Sequence, residues 1–535
     1  MSFRGLEHRI PAAEWGLVGS RNTGRQPTGA LLRALNLAFD RGVIEREGGS
    51  IKLSQAPLPG NPKILAGLDW WPTTSLQRTL IVTSDGKIYR DEGQAGVFAV
   101  MMGALNTGML PVWCEGGSEL LGRDRKAFLT TGLDEVQVVE GDAIVTRPIN
   151  PDTKPIGWEG VVQPRSLFHH NLRLWGILGD QLYGSTTTDH EDFRGIGSIQ
   201  RAVAPGLGRF LQGAISFKEQ CFLWKWPRGL LVLDDSSSDE VEWQTKELTS
   251  GIGLAGPNAV AVVDDDVLFV SEIGHLHLLK NIRDGDVQAS DLTIANELQD
   301  WTRETLAITS DRLARCQIIY YPDRKEAHVA LSGMGAAANT RRLVVDFNAV
   351  PGQDHDHGPR IRVSDKDVCD SLWVARDSAG IQRPLAGDAS GVVWRLDQPA
   401  KSIDGTGSYS SEFQTTYDDF SVVSRGFKTR RKNLSFLEVH MQPTGNFDLA
   451  IDAYLDGKYA QTLTFNMGGQ GTVLGSFLLG TDALGQEFLQ LRRRRLRGSC
   501  RYISLVGRLS GVNQDFQVQD MVIGFTPGPH TPTRT

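Results

Sequence analysis

A recurring hairpin constrains this chain more than any other feature. Between about residues 62 and 400 an apolar strand, a short turn containing Gly or Asp, and a second strand with an aromatic or aliphatic residue return again and again. The clearest copy runs from Thr79 to Tyr89, with Asp85-Gly86 between two β-branched runs. Asp-Gly in that setting is a strong hairpin signal, because glycine accepts the positive φ of a primed turn. Looser copies run Trp175–Tyr183, Cys221–Val232, Val267–Leu276 and Arg383–Trp394, and weaker strand groups near 126–148 and 315–346 fill the two large gaps. Seven groups over roughly 335 residues give about 48 residues each, close to the ~40–50 of propeller repeats. A hairpin exposes two apolar faces that only neighbouring sheets can cover, and closing such sheets into a ring removes free edges. The expectation is therefore an all-β chain with a β-propeller of about six to eight blades. A pair of β-sandwiches built from the same hairpins is the competing arrangement.

The flanks read differently. Residues 1–60 are expected to form an N-terminal arm with a short helix and a first strand. Residues 28–39 place Leu31, Leu32, Leu35 and Leu37 on an amphipathic stripe, and Gly42-Val43-Ile44 begins the strand. The propeller takes 61–400. A Ser/Gly-rich boundary at 402–411 precedes a second β unit, 401–527, in which Leu434–His440, Phe447–Leu455, Tyr459–Asn466 and Arg501–Val506 alternate apolar and polar residues around an Asp456-Gly457 turn. That pattern predicts a C-terminal β-sandwich-like module. The last residues, 528–535, are rich in Pro and Thr and are expected to be a flexible tail.

With 63 acidic against 56 basic side chains the net charge is −7, which argues against a surface that coats nucleic acid, since counterion release needs clustered Lys and Arg. Five scattered cysteines, Cys114, Cys221, Cys316, Cys369 and Cys500, form no CxxC pair and read as reduced thiols. The N-terminal residues carry charges where a signal peptide needs an apolar run, and no stretch approaches the ~18 apolar residues of a membrane span. Synthesis in a cytoplasm and no membrane span are the expectations.

Candidate chemistry is sparse. Asp354-His355-Asp356-His357 alternates carboxylates and imidazoles, but alternating residues on an extended chain face opposite ways and no distant ligand completes a set. His275 and His277 share a strand face and could ligate, but read rather as packed or solvent-facing blade residues. Asp234-Asp235 and Asp264-Asp265-Asp266 fall at strand ends, where acidic turns are common, although a propeller glycosidase would need two carboxylates facing each other in its central cavity. No GxSxG, Walker or HExxH motif is present. No catalytic centre, cofactor or metal is expected. The sharpest departures from an acidic chain are two basic runs, Arg425, Lys428, Arg430, Arg431 and Lys432, then Arg492, Arg493, Arg494, Arg495 and Arg497. They read as a collar contacting an acidic protein partner or DNA phosphates, with a solvated face as the plain alternative.

Three stretches carry a resemblance. They are Leu35–Gly49, where Asn36, Gly42-Val43-Ile44, Arg46 and Gly48-Gly49 precede the first hairpin; the Leu80–Tyr89 hairpin; and Leu248–Val260 leading into Val267–Gly274. Together, over about residues 29–400, they resemble the propeller-containing nozzle or tail-tube proteins of short-tailed bacteriophages and related packaged-DNA stabilisation proteins. The resemblance implies a virion structural protein of the viral tail, assembled in the host cytoplasm. It would be a homo-oligomer, a ring of six copies, docked on a portal or adaptor protein and on tail fibres, through which viral DNA passes transiently during ejection. A receptor- or glycan-binding tail protein is the main alternative, favoured if Trp70, Trp71, Trp224 and Trp226 present exposed rings. A propeller glycoside hydrolase is the second.

Overall fold

The computed structural model describes residues 6–528, apart from 12–15, 19–28, 41, 55, 93–95, 117–124, 143–144, 206–207, 238, 284–291, 293–309, 333–338, 349–358, 368, 378 and 469–488. Seven small antiparallel sheets follow one another along the chain. Their first strands are Ile64–Thr73, Val112–Gly116, Ser166–His170, Phe210–Phe217, Val260–Val263, Gln317–Tyr321 and Ser371–Arg376. Each packs on the next, and the seventh packs back on the first. The chain is a seven-bladed β-propeller, with these strands lining the central channel. Four of the five recurring hairpins are the middle pair of their blade; Leu76–Thr83 and Ile88–Asp91, for example, lie between Ile64–Thr73 and Phe98–Met102, while Val267–Leu276 supplies the last two of the three strands described in blade 5. Gly86 takes φ +77 at the turn, and a Cβ there would lie 2.3 Å from the Leu105 carbonyl oxygen.

The fourth strand of blade 7 comes from the other end of the chain. Gly49–Lys52 pairs antiparallel with Val393–Gln398, Trp394 opposite Lys52 and Gln398 opposite Gly49. Between blades, apolar side chains interlock: Trp373, Leu385 and Val393 of blade 7 meet Ile64, Ile81 and Tyr89 of blade 1. Gly67 allows that approach, since a Cβ would stand 2.3 Å from the Trp373 ring. Each such buried side chain is worth roughly 1.5–3 kcal/mol, so the ring is held chiefly by its blade junctions.

A two-sheet sandwich lies beyond blade 6. One sheet orders Gln490–Cys500, Lys432–Gln442, Gln517–Pro527, Val43–Arg46 and Leu37–Asp40, with Leu6–Pro11 also on Gln517–Pro527. The other orders Ala30–Leu35, Ser411–Thr415, Ile503–Leu509, Asp448–Leu455 and Lys458–Asn466, and joins the last strand of blade 6 through Leu35 and Val363. Leu31, Ile44, Phe413, Leu437, Ile451 and Ile523 fill the space between them.

Two expectations are corrected here. Residues 28–39 form no helix: Ala30–Leu35 and Leu37–Asp40 are strands, broken at Asn36 with φ +52. A short apolar run fits either period, and strand partners from residues 360–520 decided it. Nor is the N-terminal segment a separate arm, because its strands belong to the sandwich and to blade 7. The expected tail at 528–535 lies outside the described residues from 529 on.

A buried ionic cluster ties these parts together. The Arg342 guanidinium, on blade 6, donates to Glu47 at 2.5 Å just before the closing strand. Lys366 pairs with Asp367, Arg362 with Glu326 at 2.9 Å and Arg360 with Asp346 at 2.5 Å. Burial would raise the Glu47 carboxyl, but the charges of Lys366, Arg342 and Arg362 outweigh it and hold the pKa below the usual glutamate value. Breaking a buried pair leaves an uncompensated charge, so Glu47→Gln is expected to cost about 3–5 kcal/mol, read as a lower urea midpoint at unchanged slope. Blades 2 and 3 are clamped by Glu191, which accepts from Lys126 at 2.6 Å and from Arg147 at 2.7 Å. Burial alone would raise its pKa; Arg147 and Lys126 instead bring it from 4.5 down to about 2. A depressed carboxylate stabilises above its unfolded pKa. This contribution is therefore full above about pH 4.5 and lost as pH falls toward 2. An acid titration of stability should be flatter in Glu191→Gln than in the parent protein.

Candidate functional site

The two basic runs meet in space. Gln490–Cys500 is the edge strand of its sheet and pairs with Lys432–Gln442, Arg494 opposite Leu437 and Arg493 opposite Glu438. Side chains alternate along it: Leu496 and Cys500 point into the core, while Arg493, Arg495 and Arg497 are exposed on the outer face, ~7 Å from one to the next. Arg493 donates to Glu438 at 2.7 Å and lies 3.8 Å above the Phe436 ring. Arg494 reaches the Thr464 carbonyl at 3.1 Å, on the edge strand of the opposite sheet, and Arg492 reaches the Gly468 carbonyl at 2.9 Å. Among the described residues no ion pair holds Arg494, Arg495, Arg497, Arg425 or Lys428. Arg425 and Lys428 are exposed beside the 3-10 turn Arg425–Phe427, and Arg431 pairs with Asp456 at 3.5 Å. Charge on an edge strand also prevents it from pairing with another sheet.

Two members of the first run differ from the rest. Lys432 is fully buried; its ammonium donates to the carbonyls of Asp419, at 2.9 Å, and Arg501, and lies 5.1 Å from the Phe420 ring. Burial lowers its pKa. It fastens the sandwich and offers nothing to a partner, contrary to its reading as a contact residue. Arg430 is half-buried. Sequence showed the charge but not the fold of the chain back over this lysine.

The other candidates sort as follows. His275 and His277 are buried with their rings 6.4 Å apart. Asp264 and Asp265 occupy a hairpin turn, and Asp266 accepts from the Val267 and Lys280 amides. Asp234 caps Ser236, whereas Asp235 accepts from His170. Asp354–His357 lies outside the described residues, and among the described ones no three His, Cys, Asp or Glu side chains gather as a metal site. Trp70 and Trp224 are core residues; Trp226 is 37% exposed and stacks on Phe210. All five cysteines are buried and unbridged.

The central channel holds a feature that sequence reasoning missed. A cavity of about 500 Å³ is lined by all seven first strands, and a wider one of about 630 Å³ adjoins it, sharing Asp69 and Glu115. Trp71, Arg125, Tyr320 and Arg376 surround the two carboxyls. Asp69 accepts from Gln77 at 2.6 Å, from the Trp71 indole at 3.0 Å and from the Arg376 amide at 3.1 Å. Burial nevertheless raises its pKa. Glu115 is also raised, by burial and then by the charge of Asp69, with Arg125 opposing. Its side chain is open to the channel space yet walled by protein. The only signal in the sequence was an acid within an apolar first strand in consecutive blades.

If Lys432 is structural and the edge arginines are not, Lys432→Ala should lower stability by about 2–4 kcal/mol and the double variant Arg495→Ala, Arg497→Ala by no more than ~0.5 kcal/mol, both by chemical denaturation.

No protein-family model matches the chain, and no curated protein matches it in sequence. Solved structures that the chain matches include YCF48 from Cyanidioschyzon merolae, at 9% identity and TM-score 0.38 over 66% of this chain and 99% of that one. YCF48 bound to D1 peptide matches at 11% identity and TM-score 0.37, over 68% and 97%. Likenesses at these identities and TM-scores say nothing of what this chain does.

Proposed function

We propose that this chain is a structural protein of a tailed-bacteriophage virion, a subunit of a ring around the DNA exit channel in the tail nozzle, tube or head-to-tail connector. The observation that supports this reading is the arginine edge. Arg493, Arg495 and Arg497 form a cationic strip on an exposed sheet edge in a chain of net charge −7, so each copy carries both a basic strip and an acidic excess to receive it. A head-to-tail contact of that kind closes into a ring when its rotation permits. The propeller supplies a rigid wall, because its strands are paired around a closed circle. An acidic wall repels DNA in transit and keeps it from sticking. A portal or adaptor ring and tail fibres are the remaining partners, and the virion tail is the location.

A second reading, glycan binding at the channel mouth, is favoured by Trp71 and Tyr320 standing beside Asp69, Glu115 and Arg376, since sugars present apolar faces to rings and hydroxyls to carboxylates. The arginine edge has no place in that reading.

Light scattering of the purified protein, alone and with portal rings, separates the two, together with mass spectrometry of virions. Ring-sized particles are expected. Replacing Arg493, Arg495 and Arg497 by Ser should raise the concentration needed for assembly about 3- to 150-fold, from ~0.2–1 kcal/mol for each of the three exposed pairs. A protein that stays monomeric with portal rings, is absent from virions and binds glycans overturns the ring.

A further inference from the structure

A cavity of about 950 Å³ at the end of blade 4 is lined by His170, Ser216 and Asp235 among others. These three come from different strands: the end of the first strand of blade 3, the first strand of blade 4, and the residue after the third strand of blade 4. Ser216 Oγ lies 2.7 Å from His170 Nδ1, and His170 Nε2 lies 2.9 Å from Asp235 Oδ2. Asn171 Nδ2 donates to the same Asp235 oxygen at 3.1 Å.

The chemistry of the donors fixes the direction of this chain. A carboxylate only accepts, so His170 Nε2 carries the proton and Nδ1 presents its lone pair, to which the Ser216 hydroxyl donates. We propose that Ser216, His170 and Asp235 form a nucleophilic acyl-transfer site, which hydrolyses a carboxylic ester. Nucleophile, base and orienting acid are recognised by geometry and role, and the arrangement has arisen on unrelated folds in several chain orders. In this one the base uses Nδ1 and the acid holds Nε2.

Burial is distributed as such a site requires. The His170 side chain is 2% exposed and that of Asp235 9%, while Ser216 is partly open to the cavity. Phe222, Val232 and Leu248 also line this cavity, from the face of blade 4 that packs toward blade 5. The two hairpin turns flanking the cavity, Asn171-Leu172 and Lys218-Glu219, hold all four residues at positive φ, between +47 and +61. Primed turns strongly prefer Gly or Asn, and Leu, Lys and Glu carry a conformational cost there.

In the first step Ser216 Oγ attacks the ester carbonyl carbon and its proton passes to His170 Nδ1. The tetrahedral intermediate collapses, the C–O bond to the alcohol breaks, and the alcohol leaves with the proton from Nδ1. Water, the second reactant, then attacks the acyl-serine with His170 again as base, releasing the acid and restoring the serine. Asp235 is a positioning residue that holds the imidazole tautomer.

The full-length protein treated with a fluorophosphonate probe tests the site without any variant: peptide mass spectrometry should find the adduct on Ser216. Hydrolysis of p-nitrophenyl acetate should exceed the buffer rate and fall at least 100-fold in Ser216→Ala and in His170→Gln, the scale of a general-base contribution. Retained circular dichroism would show that both variants fold. No adduct on Ser216, or an unchanged hydrolysis rate in folded Ser216→Ala, overturns the proposal. Neither result bears on the ring.

Discussion

The architecture depends on one short pairing, that of Gly49–Lys52 with Val393–Gln398. Without it blade 7 would present an open edge, and the ring of first strands would be held at that point by side-chain packing alone. Its place in the chain sets much else. A strand that closes the ring brings the preceding residues past blade 6, where Asn36 donates to Asp365 and the Ser410 carbonyl, and Glu47 meets Arg342. Gly49 is needed at the crossing, since a Cβ would lie 2.1 Å from the Ser402 carbonyl oxygen.

The sandwich is the second consequence. Strands from residues 6–46 and from 411–527 share one core because the closing strand has already carried the N-terminal segment to that side. Both basic runs follow the sandwich, and pairing of Lys432–Gln442 with Gln490–Cys500 makes them one surface. The propeller and sandwich therefore offer different things: a channel and blade junctions lined with fixed polar groups, and an outer edge bearing charge. The proposed ring uses the second, and the proposed ester site the first.

Much of the propeller was legible because its signals are local. Asp85-Gly86 encodes a turn within four residues, and an alternating strand beside it needs no distant partner to be recognised. The basic runs were visible as composition. What could not be read were residues whose environment comes from far away. Leu31 and Leu35 fit a helical stripe as well as a strand, and only Thr415 and Glu412 opposite them decide the matter. Lys432 sits in a run of exposed cations but is buried under residues 418–420 and 501. Asp69 and Glu115 stand 46 positions apart and meet only because first strands of adjacent blades line one channel. Ser216, His170 and Asp235 share no motif, since no two of them lie on the same strand.

By itself, then, the sequence determined the all-β character, the hairpin unit and its repetition, for these follow from period-2 hydrophobicity and turn chemistry, which act over a few residues. Tertiary structure decided that there are seven blades, that the N-terminal segment closes the seventh and completes the sandwich, and which polar side chains come within hydrogen-bonding reach. Those outcomes rest on contacts between residues up to about 500 positions apart, such as Arg9 with Asp520 at 2.8 Å. Only the closed chain brings such pairs together.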